Sequence, residues 1–505
     1  MEPFAQVGPN PNLQKSVLSV AKADKLKGER RFQEAVNAYQ QALRLFPMNG
    51  AAYRGLIVML IELSEFDNAG KVAKVIPPSL MQQSKELQNI CGILAIEQGH
   101  YDEALRLLKP LEAHPGIDKK SLFNNLGTAY NRQEKFDEAL AYYERAFAAG
   151  LRTPILYRDM AGIYQKKEDL AKAAKFYEDA LRTFPNDIEI HYEYSIFLMK
   201  SEKFAEGFRK YQYRWQSITF NNRHLQLPVP EWDGKTPIKR LLVLAEQGVG
   251  DQVVFSAFLP ALRDRVEKID TGLNNRLDPF IKRTFPEFGL PGRAINDEYL
   301  KAHYDAYIDA GTLGAILPET VINWEKGWLK ADLEKAAALR EKYQRMFRGK
   351  KLIGLSWKSS RLVYGVKKSI DIATWKPLLD LDQCQFISLQ YGDVADDLRR
   401  AKEELGVEIY VDPEIDAFND LDGLAAQANA LDLLITTSNS TAHLAAATNA
   451  PTWVILPMGS GLLWYWGYKP QCRWYPHIRL FRTRDSTDWT NVIDEVTCAL
   501  REKIK

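Results

Sequence analysis

The sequence predicts a two-part molecule, an all-α repeat solenoid followed by an α/β region built on parallel sheets. Three observations point there. Small residues return at a nearly constant period between residues 16 and 218. Beyond residue 238 that period disappears, and short β-rich runs alternate with helical stretches. Where the second pattern begins stands Leu241-Leu242-Val243-Leu244-Ala245-Glu246-Gln247-Gly248-Val249-Gly250-Asp251, a buried-strand run ending in a glycine turn and an acid.

Composition sets the frame. A chain of 505 residues has room for about three domains. Its 46% hydrophobic and 26% charged residues are those of an ordinary soluble protein. Basic and acidic residues nearly balance (67 against 65), so nothing asks for nucleic acid or an anionic membrane. Cys91, Cys384, Cys472 and Cys498 are scattered, which argues against a disulfide framework or a zinc-binding cysteine set and fits a reducing cytoplasm. Residues 1–15 form a polar tail, proline-bearing at its start and without the apolar core of a signal peptide. No apolar run reaches the ~18 residues that cross a bilayer. The expectation is a soluble, cytoplasmic protein with no membrane or nucleic-acid partner.

The repeats occupy residues 16–218 in about six units. Ala35, Ala69, Ala104, Ala139, Ala173 and Gly207 follow one another at intervals of 34, 35, 35, 34 and 34. One helical turn later come Tyr39, Ala73, Leu108, Tyr143, Tyr177 and Tyr211. Ala42, Ala146 and Ala180 continue the pattern, with Ile76 and Leu111 as larger substitutes, and Pro47, Pro115 and Pro185 close units. Small residues let two helices touch, and the aromatic fills the space beside them. Chance spacing in an irregular bundle does not hold register this long. The pattern resembles the tetratricopeptide repeat, most clearly at Leu126, Gly127, Tyr130, Ala139, Tyr143 and Ala146. The second unit is the most degenerate, and Pro77-Pro78 is expected to distort its join to the third. Units that bury their faces only against neighbours make a curved solenoid whose concave side suits an extended peptide or another protein. Asn124, Asn125 and Asn131 are read as exposed candidates for holding a peptide backbone, beside the alternative that they merely decorate a solvated helix face.

Residues 219–238 form a proline-containing junction, with Leu227-Pro228-Val229-Pro230-Glu231-Trp232-Asp233-Gly234 extended. Its aromatic content suggests packing rather than a free tether. Strand-like runs then fall at 240–245, 304–310, 352–357, 385–389, 407–411, 431–436 and 452–456. Residues 239–330 supply one small sheet and residues 331–505 a second, bridged by a helix at 331–348. Ligands of open α/β sheets bind beyond the carboxyl ends of the strands, so two facing sheets define a cleft.

Polar residues gather at those strand ends. In the first sheet Gly248 and Gly250 let backbone approach a ligand, and Asp251 sits where a helix at 252–266 begins. The N–H groups of a helix start hold a carboxylate ionised, which makes Asp251 a candidate base. In the second, Lys358 follows a strand that reads as buried on both faces, with Ser359 beside it, and is placed to neutralise a diphosphate leaving group. Gln390 ends a strand in a Gly turn, where its amide either reads a base or ribose or simply closes the turn. Thr436, Thr437, Ser438, Asn439, Ser440 and Thr441 precede the alanine-rich helix that contains His443. An N-cap needs one such residue, and six exceed that need, so the loop is read as an anion site. The triplets Asp380-Leu381-Asp382 and Asp420-Leu421-Asp422 are read as helix-end carboxylates, and no metal is assigned to them.

The segments Gly207-Phe208-Arg209-Lys210-Tyr211-Gln212-Tyr213-Arg214-Trp215, Pro230-Glu231-Trp232-Asp233-Gly234 and the run from Leu241 through Asp251 resemble bacterial proteins that join tetratricopeptide repeats to a glycosyltransferase domain. That domain is similar to the lipopolysaccharide heptosyltransferases (family 9-like), and the plan resembles the eukaryotic O-GlcNAc transferase in arrangement. The resemblance continues through Trp453-Val454-Ile455-Leu456-Pro457, Trp464-Tyr465-Trp466-Gly467, Trp474-Tyr475-Pro476 and Arg479-Leu480-Phe481-Arg482. It implies a GT-B fold of two Rossmann-like lobes, the first one small and the second binding the donor. It also implies inversion at the anomeric carbon without a metal, a donor-phosphate loop at residues 438–441, and flagellin as a recurring acceptor type. His443 falls on the family's histidine position, to bind donor or to pack inside the helix. Ser438 stands where the family usually has aspartate and Ser440 near its glycine, so heptose is not implied.

The functional expectation is transfer of a sugar from a nucleotide-sugar donor, a substrate rather than a cofactor, to a protein held by the repeats. Two alternatives stand beside it. One is a glycosyltransferase acting on lipopolysaccharide or another glycan. The other is a repeat scaffold whose α/β half is inactive.

Overall fold

A computed structural model describes residues 10–220, 224–291, 296–317, 325–359, 365–483 and 488–505. The chain divides into two compact units, Met1–Ala180 and Leu181–Lys505. Of the expected polar tail, positions 1–9 lie outside the described residues. The rest of it is helical: Asn10 Oδ1 accepts from the Asn12 N–H and Pro11 opens the helix Pro11–Gly28.

The first unit is a stack of antiparallel helix pairs. Ala35, Ala69, Ala104, Ala139 and Ala173 are fully buried, and Tyr39, Tyr143 and Tyr177 nearly so. The interhelical contacts leave no room for more. A Cβ on Gly55 would lie 2.2 Å from the Tyr39 ring, one on Gly127 2.5 Å from Tyr143, and one on Gly92 2.6 Å from Leu108. The period is also written in the backbone. Arg30, Ser64, Gly99, Glu134 and Glu168 turn with φ between 58° and 77°, each five residues before its unit's small residue. Each time the next N–H reaches back to a helix carbonyl, as from Lys135 to Tyr130 at 3.0 Å and His100 to Ala95 at 2.8 Å. These left-handed turns close the first helix of a pair and start the second. Pro77-Pro78 does interrupt the array, through an additional short helix, Pro78–Gln83.

The sixth helix pair, Ile188–Lys200 and Phe204–Tyr211, repeats the same geometry at Glu202 (φ 61°) but belongs to the second unit. Its side chains explain why. Phe208 is fully buried against Phe258 and Trp464, and a Cβ on Gly314 would stand 2.4 Å from its ring. The fully buried Arg214 donates to Glu246 Oε2 at 2.6 Å and to Thr312 Oγ1 at 3.0 Å.

The rest of this unit holds two parallel sheets with helices. Strands β1 (Arg240–Leu244), β2 (Lys268–Gly272) and β3 (Ala306–Asp309) lie in the order β2-β1-β3. Strands β4 (Lys351–Ser356), β5 (Cys384–Ser388), β6 (Leu433–Thr437), β7 (Thr452–Leu456) and β8 (Arg479–Arg482) lie in the order β5-β4-β6-β7-β8. The second sheet is apolar on both faces, as a helix-covered parallel sheet must be. Leu352, Leu434 and Val454 join the core that runs through the first sheet, while Ile353, Leu355, Ile435 and Ile455 feed a separate core on the other side. The bridging helix, Leu333–Met346, packs through Lys335–Asp420 and Arg340–Asp432 pairs at 3.0 and 2.7 Å.

Several expected elements differ. Residues 407–411 form no strand; Tyr410 makes one isolated bridge to Ile387, and the chain then turns away to where Lys342 and Tyr343 hold Asp412. Strands β2 and β8 escaped the sequence because edge strands such as Lys-Ile-Asp-Thr-Gly and Arg-Leu-Phe-Arg carry few apolar residues. The helix expected at 252–266 runs instead over Val249–Ser256, and a separate 3-10 turn containing Pro260 follows. Among the described residues no helix is long and apolar enough to cross a membrane.

Candidate functional site

The turn after β1 is built under strain. Gln247 holds a left-handed φ of 61°, and its amide donates to Tyr211 Oη of the sixth helix pair. Gly248 then caps the helix Val249–Ser256, and Asp251, in its first turn, accepts from the Gly248 N–H at 3.1 Å. Asp251 is therefore inside the helix start rather than before it. Gly250 packs against the second sheet's helix Ser440–Ala447: a Cβ there would lie 3.1 Å from His443 Cδ2 and 3.5 Å from Ser440 Cα. That close approach brings the two sheets' strand ends together.

After β6, Asn439 is the N-cap. Its Oδ1 accepts from the Ala442 N–H at 3.1 Å and from Thr436 Oγ1 at 3.2 Å, and its Nδ2 donates to Ser356 Oγ at 2.8 Å. Ser438 Oγ accepts from Trp466 Nε1 at 2.8 Å. The hydroxyls of Thr437 and Thr441 are buried and have no hydrogen-bond partner among the described residues. His443 Nδ1 lies 3.1 Å from Tyr475 Oη, and its ring stacks on Trp466 at 4.7 Å. Burial, with Lys368 adding repulsion, pushes its pKa down to about 3, so the imidazole is neutral at physiological pH. Its Nε2 is buried, again with no hydrogen-bond partner among the described residues. His443 packs and bonds inside the fold, as one of its two readings expects, and its ring also reaches the wall of the cavity at the strand ends.

After β4 and β5 the expected roles shift. Gln390 is buried, with its amide taken up internally: Oε1 accepts from Ser356 Oγ and from the N–H groups of Trp357 and Lys358 at 2.8–3.0 Å, and Nε2 donates to Tyr391 O at 2.9 Å. It braces two strand ends, which leaves the structural alternative in place of base or ribose readout. Lys358 pairs with Asp397, a buried acid that also accepts from Trp357 Nε1 at 3.1 Å. The Ser359 N–H donates to Ser369 Oγ at 3.1 Å.

Among the described residues, the strand ends enclose a cavity of about 200 Å³. Its wall includes Gly248, Gly250, Asp251, Ser359, Ser438, Asn439, Ser440 and His443 of the expected residues, whereas Lys358, Gln390 and Thr441 do not line it. Lys358 and Gln390 point their groups at partners within the fold, and Thr441 is buried beneath the cap. Two cations line the wall in addition. Lys368, 4% exposed, follows the segment after β4, and Arg276 lies after β2 with its guanidinium 4.9 Å over Phe418. Tyr391, Phe418 and Tyr465 complete the aromatic part. Neither cation had a spacing rule to announce it; Tyr465 lies in the aromatic run Trp464-Tyr465-Trp466 that the sequence does display.

Three of the four carboxylates of the acidic triplets are engaged elsewhere. Asp380 pairs with Lys376 at 2.7 Å, Asp420 caps a helix by accepting from the Gly423 N–H at 2.7 Å, and Asp422 receives both Arg283 nitrogens at 2.8 Å. In the first unit, Asn124, Asn125 and Asn131 lie on the helix Lys119–Arg132 and are half-buried rather than exposed. The Oδ1 atoms of Asn124 and Asn131 have no hydrogen-bond partner among the described residues.

Two family profiles described as tetratricopeptide repeat match residues 20–81 and 118–186. Protein FlbA of Caulobacter vibrioides is 28% identical over 508 residues, covering 93% of this chain and 82% of that protein, so the likeness runs through both halves. Among solved structures, Pseudomonas aeruginosa pilF is 17% identical and covers 41% of this chain and 91% of its own, with a TM-score of 0.35. A thermophilic tetratricopeptide protein of Thermus thermophilus is 19% identical and covers 36% and 99%, with a TM-score of 0.31. The chain is thus a bacterial-type protein whose N-terminal helices form a tetratricopeptide solenoid, a scaffold for a protein partner.

Proposed function

We propose that the chain is a cytoplasmic glycosyltransferase that moves a sugar from a nucleotide-activated donor to a protein side chain, with an α/β half of GT-B type. One observation supports this above others: the Asp251 carboxylate, a helix start and the buried Lys368 line one cavity at the carboxyl ends of strands from two parallel sheets. A cavity of about 200 Å³ suits the diphosphate and sugar of such a donor, with the nucleoside extending past the aromatic rim at Tyr391 and Phe418.

In this reading Asp251 takes the proton of the acceptor group as its heteroatom bonds to the anomeric carbon. The bond from that carbon to the diphosphate breaks, and the electron pair leaves with the phosphate oxygen. The helix start at Ser440, Lys368 and Arg276 meet the charge on the departing group. Lys368 thereby takes the role that the sequence suggested for Lys358, which with Asp397 holds the neighbouring strand end. The nucleotide sugar is a substrate, and no cofactor enters. Ser438, standing where the family usually has aspartate, accepts from Trp466 Nε1 and keeps its own O–H to donate, so heptose is not the sugar this reading assigns.

The repeats support a protein acceptor over a lipid-linked glycan, and flagellin is the class the sequence resemblance puts first. The test is intact mass of candidate acceptors incubated with the full chain and a panel of nucleotide sugars. A mass increase of one sugar is expected. Removing a positioned base costs about 10²–10⁴ in rate, and removing one strong electrostatic contact costs about 10²–10³, so Asp251→Asn and Lys368→Ala should each lose at least about a hundredfold. Transfer that survives both substitutions contradicts the assignment. Transfer only to a glycan acceptor would move the chain to the lipopolysaccharide type.

A further inference from the structure

A second cluster lies away from the cavity, where the junction segment meets the end of β3. His224, Glu231 and Asp309 each present one ligand atom there, and all three atoms lie within 4.8 Å of one another. His224 Nε2 stands 3.3 Å from Asp309 Oδ2 and 3.9 Å from Glu231 Oε2. Two ligands of one tetrahedral Zn²⁺ at ordinary bond lengths are about 3.4 Å apart, so these separations fit a shared ion.

Two further observations favour a cation at this point. Asp309 is 4% exposed, and its Oδ2 has no hydrogen-bond partner among the described residues; nor has His224 Nε2, although the two atoms face the same space. A ring nitrogen and a carboxylate oxygen this near would ordinarily share a hydrogen bond, and a buried carboxylate oxygen without one is costly. Atoms that converge on a third point behave this way. The local charge is also unbalanced. Glu231 and Glu246 both lie within electrostatic reach of Asp309, while the nearby guanidinium of Arg214 is already paired with Glu246.

The three positions are held by the backbone. Asp309 ends β3, and Glu231 is locked beside that strand by Trp232 N–H to Tyr307 O at 2.8 Å and Tyr307 N–H to Pro230 O at 3.0 Å. Tyr307 Oη fixes the start of the segment through Leu225 O at 3.1 Å, and Trp215 stacks on the His224 ring at 4.7 Å. Such fixed supports give a site the geometry a metal needs.

We infer that His224, Glu231 and Asp309 bind a divalent transition cation of the Zn²⁺ class, which fastens the junction to the first sheet. One imidazole nitrogen and two carboxylate oxygens suit Zn²⁺ or Mn²⁺ over Mg²⁺, which prefers all-oxygen octahedral surroundings. Water completes the coordination. Sequence spacing could not show the set, because Asp309 arrives a whole β-α-β unit after His224.

The test uses the full chain, stripped with a chelator and titrated with ZnCl₂ by calorimetry, with melting followed by tryptophan emission. One equivalent of Zn²⁺ should bind and raise the melting temperature, with Mg²⁺ at the same concentration doing neither. Asp309→Asn combined with His224→Gln should abolish the equivalent, and Glu231→Gln, an isosteric change at the exposed rim, should weaken it at least tenfold. No stoichiometric binding to the stripped wild type, or binding that persists unchanged in Glu231→Gln and the double variant, overturns the inference. None of these readouts depends on sugar transfer, so the site can fail while the glycosyltransferase reading stands, and the reverse.

Discussion

In the first unit every structural decision is local, whereas in the second the decisive contacts join distant parts of the chain. The first unit's turns are made by a residue and the carbonyl five positions behind it, and Gly127 meets its partner Tyr143 one helix away. In the second unit, Arg283 grips Asp422 across 139 residues, Arg276 reaches Phe418 across 142, and Arg214 reaches Thr312 across 98. The sixth helix pair has the repeat's geometry but the second unit's packing. A period can therefore be kept while the allegiance of a unit changes, because the period resides in the backbone turn and the small residue, and the allegiance resides in Phe208 and Arg214.

All eleven tryptophans lie at or beyond Trp215, so their emission reports the second unit alone, whereas far-ultraviolet circular dichroism sums the helices of both units. The largest expected effect is on the long-range side. Arg214→Met leaves Glu246 buried and unpaired, and breaking a buried pair costs about 3–5 kcal/mol, read as a shifted urea midpoint in tryptophan emission. A shift below about 1 kcal/mol would mean that the pair is not what binds the sixth helix pair to the sheet. On the local side, Gly127→Ala drives a Cβ to 2.5 Å from the Tyr143 ring, and overpacking of that kind costs about 1–3 kcal/mol, visible in circular dichroism.

The third effect depends on pH. The His443 pKa falls from the usual 6.5 to about 3 on folding, so between those values the unfolded chain binds the extra proton. Its contribution is complete above pH 6.5 and is lost as pH falls toward 3, about 1 kcal/mol of it between pH 6.5 and 5.5. His443→Gln should flatten that slope of tryptophan-monitored stability, and an unchanged slope would place the titration elsewhere. The smallest effect is Glu134→Gly. Glycine relieves a left-handed turn at φ 61° but loosens the unfolded chain, for a net gain of about 0.5 kcal/mol. A loss there would show that the Glu134 side chain matters more than its backbone.

The same contrast explains what the sequence shows. Periodicity exposes Ala35 through Gly207 because each position repeats one local environment, and all six are buried as the period requires. In the α/β half, strands with apolar runs are legible while β2 and β8, short of apolar residues at the sheet edges, are not. Within the site, the glycine turn with Asp251 and the Ser438-Asn439-Ser440 cap are visible because strand, turn and helix follow each other directly. Lys368 and Arg276 are invisible because their place in the wall comes from folding of intervening chain, not from spacing. The engagement of Lys358 and Gln390 inside the fold is hidden for the same reason. Both stand just past strands, but Asp397 and the neighbouring backbone claim their polar groups.

The central claim is that the cavity between the two sheets holds a nucleotide donor, and binding tests it most directly. Purified chain is screened by thermal shift against nucleoside mono- and diphosphates. A ligand at a hundred times its dissociation constant stabilises by about 2.7 kcal/mol, so one base should raise the melting temperature clearly as a diphosphate, and the rise should shrink in Lys368→Ala while surviving in Lys376→Ala on the surface. No rise with any nucleotide, or an equal rise in Lys368→Ala, would contradict the donor site and leave the repeats as a scaffold beside an inactive α/β half.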